Sequence, residues 1–251
     1  MKKISRRTLI TTGISAAAGV AGLAAADRLA ARYGLIAPDS GGCYGPGEAL
    51  TYATQRLLTR HSMAREFSRS MISKPFPNEI DPLNDGFKRQ QADGFKDWRL
   101  TIDGLVERPT AFSISDLKSL PIKSQITEVA CEEGWSYIAE WIGTPLDGML
   151  REVGLKLQAR YLVYISYQPD WWESIDMADA LHPQTFLTMG MNDGDLPVEF
   201  GGPLRMRVPR QLGYKSIKFL THITATDDIK KFGKGLGSAE PEAGYAWYAG
   251  I

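Results

Sequence analysis

Two cysteines and three histidines are all that the 251 residues offer for soft-metal or thiol chemistry. No Cys-x-x-Cys pair and no His-Glu-x-x-His run occurs, so a self-contained zinc site lacks ligands. The four cysteines of an iron–sulfur cluster are missing, as is the Cys-x-x-Cys-His of covalently attached haem. No glycine-rich dinucleotide turn follows a strand-like segment, and no phosphate-loop lysine motif is present. Neither sign of charge is in excess: 29 Lys and Arg balance 29 Asp and Glu. A chain without a basic stripe has no means of neutralising a phosphate backbone, which excludes the electrostatic case for nucleic acid. No internal repeat follows the amino-terminal segment, and 43% hydrophobic with 23% charged residues is the composition of a globular protein.

The first thirty residues differ in kind. Arg6 and Arg7 lie in "MKKISRRTLI", and no charge follows from Leu9 to Ala26. This resembles a twin-arginine export signal, a plain signal peptide or short anchor being the other readings. Cys43 sits in "PDSGGCYGPG", a glycine- and proline-rich linker, where acylation or a disulfide to Cys131 are the alternatives to a free thiol.

Beyond the linker the periodicities mix. "GEALTYATQRLL" reads as a helix, "DWRLTIDG" as a strand with Trp98, Leu100 and Ile102 on one face, and "SISDLKSLP" as a short helix capped by Ser115 or Asp116. "SQITEVACEE" alternates as a strand that ends at Cys131, before a turn at Gly134. "TPLDGMLREVGL" is an amphipathic helix, "RYLVYISYQ" a strand, "SIDMADAL" a short helix, and "PLRMRVPRQLG" and "IKFLTHITATD" are strands. Short strands irregularly interleaved with short helices predict an α+β fold, not a doubly wound parallel sheet. On these grounds Cys131 is an inert buried residue, a nucleophile served by His61, His182 or His222, or a single soft ligand to a metal whose other sulfurs come from a cofactor.

The segment "ACEEGWSYIAEWIGTPLDGML" resembles the molybdenum-ligating stretch of the sulfite oxidase superfamily. It is most similar to the branch of the bacterial periplasmic methionine-sulfoxide reductase catalytic subunit. The matching residues are Cys131, Glu133, Trp135 and Ser136, then Trp141, Gly143, Pro145 and Leu146. Three further stretches match in order: "LHPQTFLTMGMNDGDLP", "GGPLRMRVPRQLGYKSIKFLTHI" and "EAGYAWYAG". The resemblance implies a sulfite-oxidase-type molybdopterin-binding domain of mixed sheets with short interleaved helices. It covers residues 74–251, preceded by a linker and helical extension over 31–73 and an export signal or anchor over 1–30.

Carried over by position, Cys131 is the metal ligand and Glu133 the catalytic acid beside it, unless that carboxylate only orients the loop. Arg205, Lys215, Ser216 and Lys218, with the backbone of Ile217, would hold the molybdopterin phosphate and pterin edge; Ser166 matches a threonine position and Asn78 an asparagine of the amino-terminal loop. Two departures stand out: Phe200 replaces a polar residue before "GGPLR", and Asn78 is displaced by one position. Trp135 and Trp141 are expected in core and pocket wall, while Tyr245, Trp247 and Tyr248 line the mouth or seal the fold.

The activity implied is two-electron oxygen-atom transfer on a small molecule. Sulfite-oxidising relatives place arginines next to the cysteine, and this chain places Glu132 and Glu133 there. A neutral S-oxide or N-oxide is therefore expected as substrate, with sulfite dehydrogenation or a non-catalytic role as alternatives. The lack of any second redox motif implies an external electron-transfer partner, and the resemblance implies that it is a membrane cytochrome b. A monomeric catalytic subunit in the periplasm, with uncleaved signal or lipid at Cys43 as the routes to an anchor, completes the expectation.

Overall fold

The computed structural model describes residues 35–38, 45–78, 84–168 and 170–251; the expected export signal and Cys43 lie outside the described residues. A helix α1 (Gly45–Leu58) precedes α2 (Asp85–Ala92), β1 (Arg99–Gly104), β2 (Thr110–Ser113), α3 (Ile114–Ser119), β3 (Lys123–Ala130) and β4 (Ser136–Pro145). There follow α4 (Leu146–Glu152), β5 (Tyr161–Ser166), β6 (Trp172–Asp176), α5 (Met177–Ala180), β7 (Phe186–Met191), β8 (Gly194–Asp195), β9 (Arg205–Arg207), β10 (Leu220–Thr226) and α6 (Ala239–Glu242).

Two sheets result. One has the order β2-β1-β10-β5-β6; the other runs β3-β4-β7-β8, with β9 also pairing with β7. Only β1 and β10 pair in parallel, with Ile102 opposite Ile223, and the remaining ladders are antiparallel. This is the mixed α+β architecture that the interleaved patterns predict. Leu100, Ile102, Leu162, Tyr164 and Ile223 of the first sheet meet Leu187 and Met206 of the second in one core, into which α4 sets Leu146, Met149 and Leu150. At roughly 25 cal/mol per Å² of apolar surface removed from water, this shared core is the principal force joining the sheets. Gly143 is required where β4 crosses β7, because a Cβ there would run into the Leu187 carbonyl.

Local chemistry explains where elements begin. The Ser113 side chain caps α3 by accepting from the Asp116 N–H, while the Asp116 carboxylate accepts from the Ser113 N–H. The cap is thus Ser113 instead of Ser115, and Asp116 is its partner three residues on. In "SIDMADAL" the first residues belong to β6, and Asp176 caps the four-residue α5 by accepting from the Asp179 N–H. The "PLRMRVPRQLG" strand shrinks to Arg205–Arg207 because prolines at 203 and 209 bracket it and donate nothing to a ladder.

α1 is fastened by charge rather than by a hydrophobic stripe. Arg56 donates to both carboxylate oxygens of Asp176, at 2.6 and 2.9 Å, and to Asp179 at 2.6 Å. The Tyr52 hydroxyl donates to Asp176 at 2.6 Å, and the guanidinium lies 4.5 Å from the Tyr248 ring centroid. Removing one member leaves buried charge uncompensated, so Arg56→Met is expected to cost about 3–5 kcal/mol, read from urea unfolding of the cofactor-free chain.

His182 is also buried, and its Nδ1 accepts from the Gln184 N–H. Burial, then the charge of Arg210, lowers its pKa below the ordinary 6.5. The unfolded chain therefore takes up a proton that the folded chain resists, and stability falls as pH drops below 6.5. His182→Gln should flatten that part of the decline in urea midpoints measured between neutral and mildly acid pH.

Candidate active site

The β3–β4 hairpin presents Cys131. The Cys131 N–H donates to the Trp135 carbonyl at 2.9 Å, and the Gly134 N–H donates to the Cys131 carbonyl at 3.1 Å. The turn closes because Gly134 adopts φ +89°, a left-handed conformation open to glycine without penalty. The thiol faces a pocket of about 410 Å³ whose wall also includes Asn78, Glu133, Trp135, Arg205 and Lys218.

Two carboxylates flank the sulfur. Cys131 Sγ lies 3.2 Å from Glu132 Oε2 and 4.0 Å from Glu133 Oε2. Burial, with the adjacent carboxylates adding to it, pushes the thiol pKa up to about 12. A raised pKa disfavours the free thiolate that a nucleophile needs; a soft metal bound at the sulfur would displace the proton. Glu133 is not loose: its Oε2 accepts from Asn78 Nδ2 at 2.9 Å and from Trp135 Nε1 at 2.8 Å. Trp135 in turn stacks on Tyr137, with ring centroids 5.9 Å apart and planes within 9°.

Arg205 and Lys218 bring positive charge to a pocket whose wall also carries Glu132, Glu133, Asp170 and Glu240, and Arg207 lies behind Arg205. Arg205 is buried; its Nε donates to the Ser216 carbonyl and its Nη1 to the Phe200 carbonyl, both at 2.9 Å. Arg207, two residues along β9 and on the same face, donates to Ser216 Oγ at 3.2 Å, to Thr127 Oγ1 at 3.3 Å and to the Glu128 carbonyl. Their guanidinium carbons lie 5.4 and 5.3 Å from the Trp141 ring centroid. Burial, reinforced by the charge of Arg205, lowers the Arg207 pKa to about 9. No ion pair to either arginine occurs among the described residues. Two buried guanidiniums without a carboxylate are costly unless an anion compensates them, and the pocket against Arg205 is where one can lie. Lys218 adds a third cation, its Nζ donating to the carbonyls of Asn78 and Glu199. This donor set fits an anionic phosphate beside a soft metal.

The candidate residues separate on this geometry. Asn78, Cys131, Glu133, Arg205 and Lys218 line one pocket. Ser166 stands one step behind it, its Oγ accepting from the N–H of the pocket residue Gln168 at 2.9 Å. Ser216 Oγ turns inward to the Val208 N–H at 3.0 Å, and Ile217 is a core side chain. Lys215 requires a correction. Its ammonium is fully buried against Glu173 Oε2 at 2.7 Å, the Ser174 carbonyl and Ser238 Oγ, so it does not present a charge to the pocket.

Phe200 joins the site through its carbonyl, and its ring packs edge-on against Tyr137. Trp141 is core, whereas Trp135 lines the pocket; Tyr245 lines it too, while Trp247 and Tyr248 are buried and seal the fold. Arg207 was not among the residues expected at the site. The alternation Arg205-Met206-Arg207, with Met206 in the core, is the signal that could have found it.

Comparison with known proteins identifies the family of the chain. The family described as "Oxidoreductase molybdopterin binding domain" matches residues 87–232. The "Putative protein-methionine-sulfoxide reductase subunit YedZ1" of Azospira oryzae is 36% identical over 194 residues, 77% of this chain and 70% of that protein. The protein-methionine-sulfoxide reductase catalytic subunit MsrP of Ralstonia nicotianae is 34% identical over 145 residues, 52% of this chain and 44% of that protein. The crystal structure of the sulfane dehydrogenase SoxCD from Paracoccus pantotrophus superposes with a TM-score of 0.51 at 25% identity, covering 53% of this chain and 39% of that one. The matched stretch thus spans less than half the length of the latter two.

Anion binding and folding should separate by mutation. Lys218→Met is expected to lower cofactor content per purified chain with little loss of cofactor-free stability, whereas Arg205→Met should lower both, since it also unpairs the Phe200 and Ser216 carbonyls. Lys215→Met, which strands Glu173, should instead cost about 3–5 kcal/mol of stability in urea.

Proposed function

The chain belongs to the oxidoreductase molybdopterin-binding domain family, in the sulfite oxidase superfamily, and from that premise we propose that this molybdenum-dependent enzyme reduces a neutral S-oxide or N-oxide. Bound molybdopterin supplies a two-electron redox change coupled to transfer of one oxygen atom. The overall reaction balances as sulfoxide plus two electrons and two protons giving sulfide and water.

The chain's own residues do the rest. Cys131 would hold the metal, and Arg205 and Lys218 would hold the anionic end of the cofactor. Carbonyls of Phe200 and Ser216 keep the Arg205 guanidinium aimed. Glu133, fixed by Asn78 and Trp135, orients the cysteine turn. Trp135, Trp171 and Tyr245 give the pocket aromatic surface for an uncharged substrate.

One observation carries the choice of substrate: two carboxylates lie beside the reactive sulfur, the nearer at 3.2 Å. Like charges about 4 Å apart repel by about 1 kcal/mol in water and by more where water is excluded, so an anion such as sulfite brought near these carboxylates is disfavoured and a neutral S-oxide is not. The names of the two curated relatives, both methionine-sulfoxide reductase subunits, support the same reading. Being named as subunits, they also support a partner protein, which we take to be a membrane cytochrome b. Arg6 and Arg7 before an uncharged run support twin-arginine export to the periplasm.

Steady-state assays on metal-loaded enzyme should give turnover with methionine sulfoxide and little with sulfite; the reverse preference overturns the reading. Cys131→Ser should retain molybdopterin, measured by its fluorescent oxidation product, and lose turnover. Unchanged turnover in that variant would remove the cysteine from the chemistry.

A further inference from the structure

α1 is charged on the inside and apolar on the outside. Its only charged residues, Glu48 and Arg56, are 8% and 6% exposed. Glu48 accepts from the Trp247 N–H, and Arg56 is bound by Asp176 and Asp179. Leu50, Leu57 and Leu58 stand 69%, 66% and 78% exposed, and Gly47, Thr51 and Thr54 are the other exposed positions. A surface helix ordinarily shows the reverse, with apolar residues turned to the core and charges to water. Leu50 and Leu57 are seven residues apart, two turns along one face.

The apolar face continues beyond the helix. Leu57 borders a second pocket, of about 530 Å³, together with Leu157, Arg60 and Arg160. Leu157 is fully exposed, and both arginines reach solvent. Among the described residues of that wall the one carboxylate is Asp176, already taken up by Arg56 and Tyr52. This pocket shares no lining residue with the one around Cys131.

We propose that this face docks on an anionic lipid bilayer. Exposed leucines flanked by arginines, with no free carboxylate among them, match the two chemistries of such a surface: acyl chains for the leucines and phosphate headgroups for the arginines. At 14 residues α1 is too short to span, and no helix among the described residues is long and apolar enough to cross a membrane, so the contact lies in the interface plane. The inference does not depend on the substrate.

Co-sedimentation of the full chain with phosphatidylcholine vesicles, with and without phosphatidylglycerol, tests it. Binding should require phosphatidylglycerol, weaken with added salt, and fall about tenfold or more in Leu50→Ser/Leu57→Ser/Leu157→Ser and in Arg60→Gln/Arg160→Gln, since two or three interfacial groups are each worth about 1 kcal/mol. Methionine sulfoxide turnover in solution should stay at the wild-type level, because none of these residues lines the Cys131 pocket. Three results overturn the proposal. The wild type fails to bind either vesicle; the triple serine variant binds as well as wild type, assigning the affinity to the amino-terminal run; or the wild type is a dimer that the serines dissociate, making a second copy the occupant of the face.

Discussion

Two guanidiniums stacked on one indole, with no carboxylate to answer them, are the constraint from which the rest of the site follows. Arg205 and Arg207 are held in place by neutral acceptors: carbonyls of Phe200, Ser216 and Glu128, and hydroxyls of Ser216 and Thr127. Neutral acceptors fix direction without cancelling charge, so the interior keeps a positive potential that a carboxylate would have removed. The acceptors belong to β3, to the turn before β10 and to the loop before β9. The arginines therefore tie together the segments that carry the cysteine and the basic turn.

Charge is partitioned with the same economy elsewhere. Lys215 lies in a run of basic residues, yet its ammonium is neutralised by Glu173 in the interior, three residues from Lys218, which faces the pocket. The two lie on either side of the 3-10 turn's end at Ser216, Lys215 inside the turn over Gly213–Lys215 and Lys218 beyond it. One sits in the interior, and the other meets the cofactor pocket. The acids are similarly divided: Asp176, Asp179 and Glu173 serve buried cations, and Glu132 and Glu133 remain beside the thiol.

Much of the fold is legible where one face of an element is wet. β1 alternates in burial as its sequence alternates in polarity, and α4 shows its apolar face at helical spacing; β3 alternates in burial too, but its buried face is Gln125, Thr127 and Val129. Legibility fails where both faces are covered or the element is very short. "FLTMGM" forms β7 with all six residues buried and has no period to detect, and β4 is obscured because "SYIAEWIGTP" carries aromatic and apolar residues on both faces. Cys131, Arg205 and Lys218, which the resemblance put forward, line one pocket. The resemblance misjudged Lys215, because a sequence motif shows that a cation is present and not which way it points. Arg207 was not put forward; its partners are one backbone carbonyl and two hydroxyls, on β3 and on the turn before β10.

Asn78 belongs to neither sheet, yet it touches both sides of the pocket. Its side chain donates to Glu133 on the cysteine turn, and its carbonyl accepts from Lys218 on the basic turn. A flexible connection between two separately built walls would let their spacing fluctuate. A single residue bound to each wall acts instead as a spacer between the cysteine turn and Lys218, beside the tie that Arg207 makes from β3 to Ser216. The extended segment before the first sheet thus serves as a gauge for the site, and its register along the chain, more than its own chemistry, fixes the width that a bound group must match.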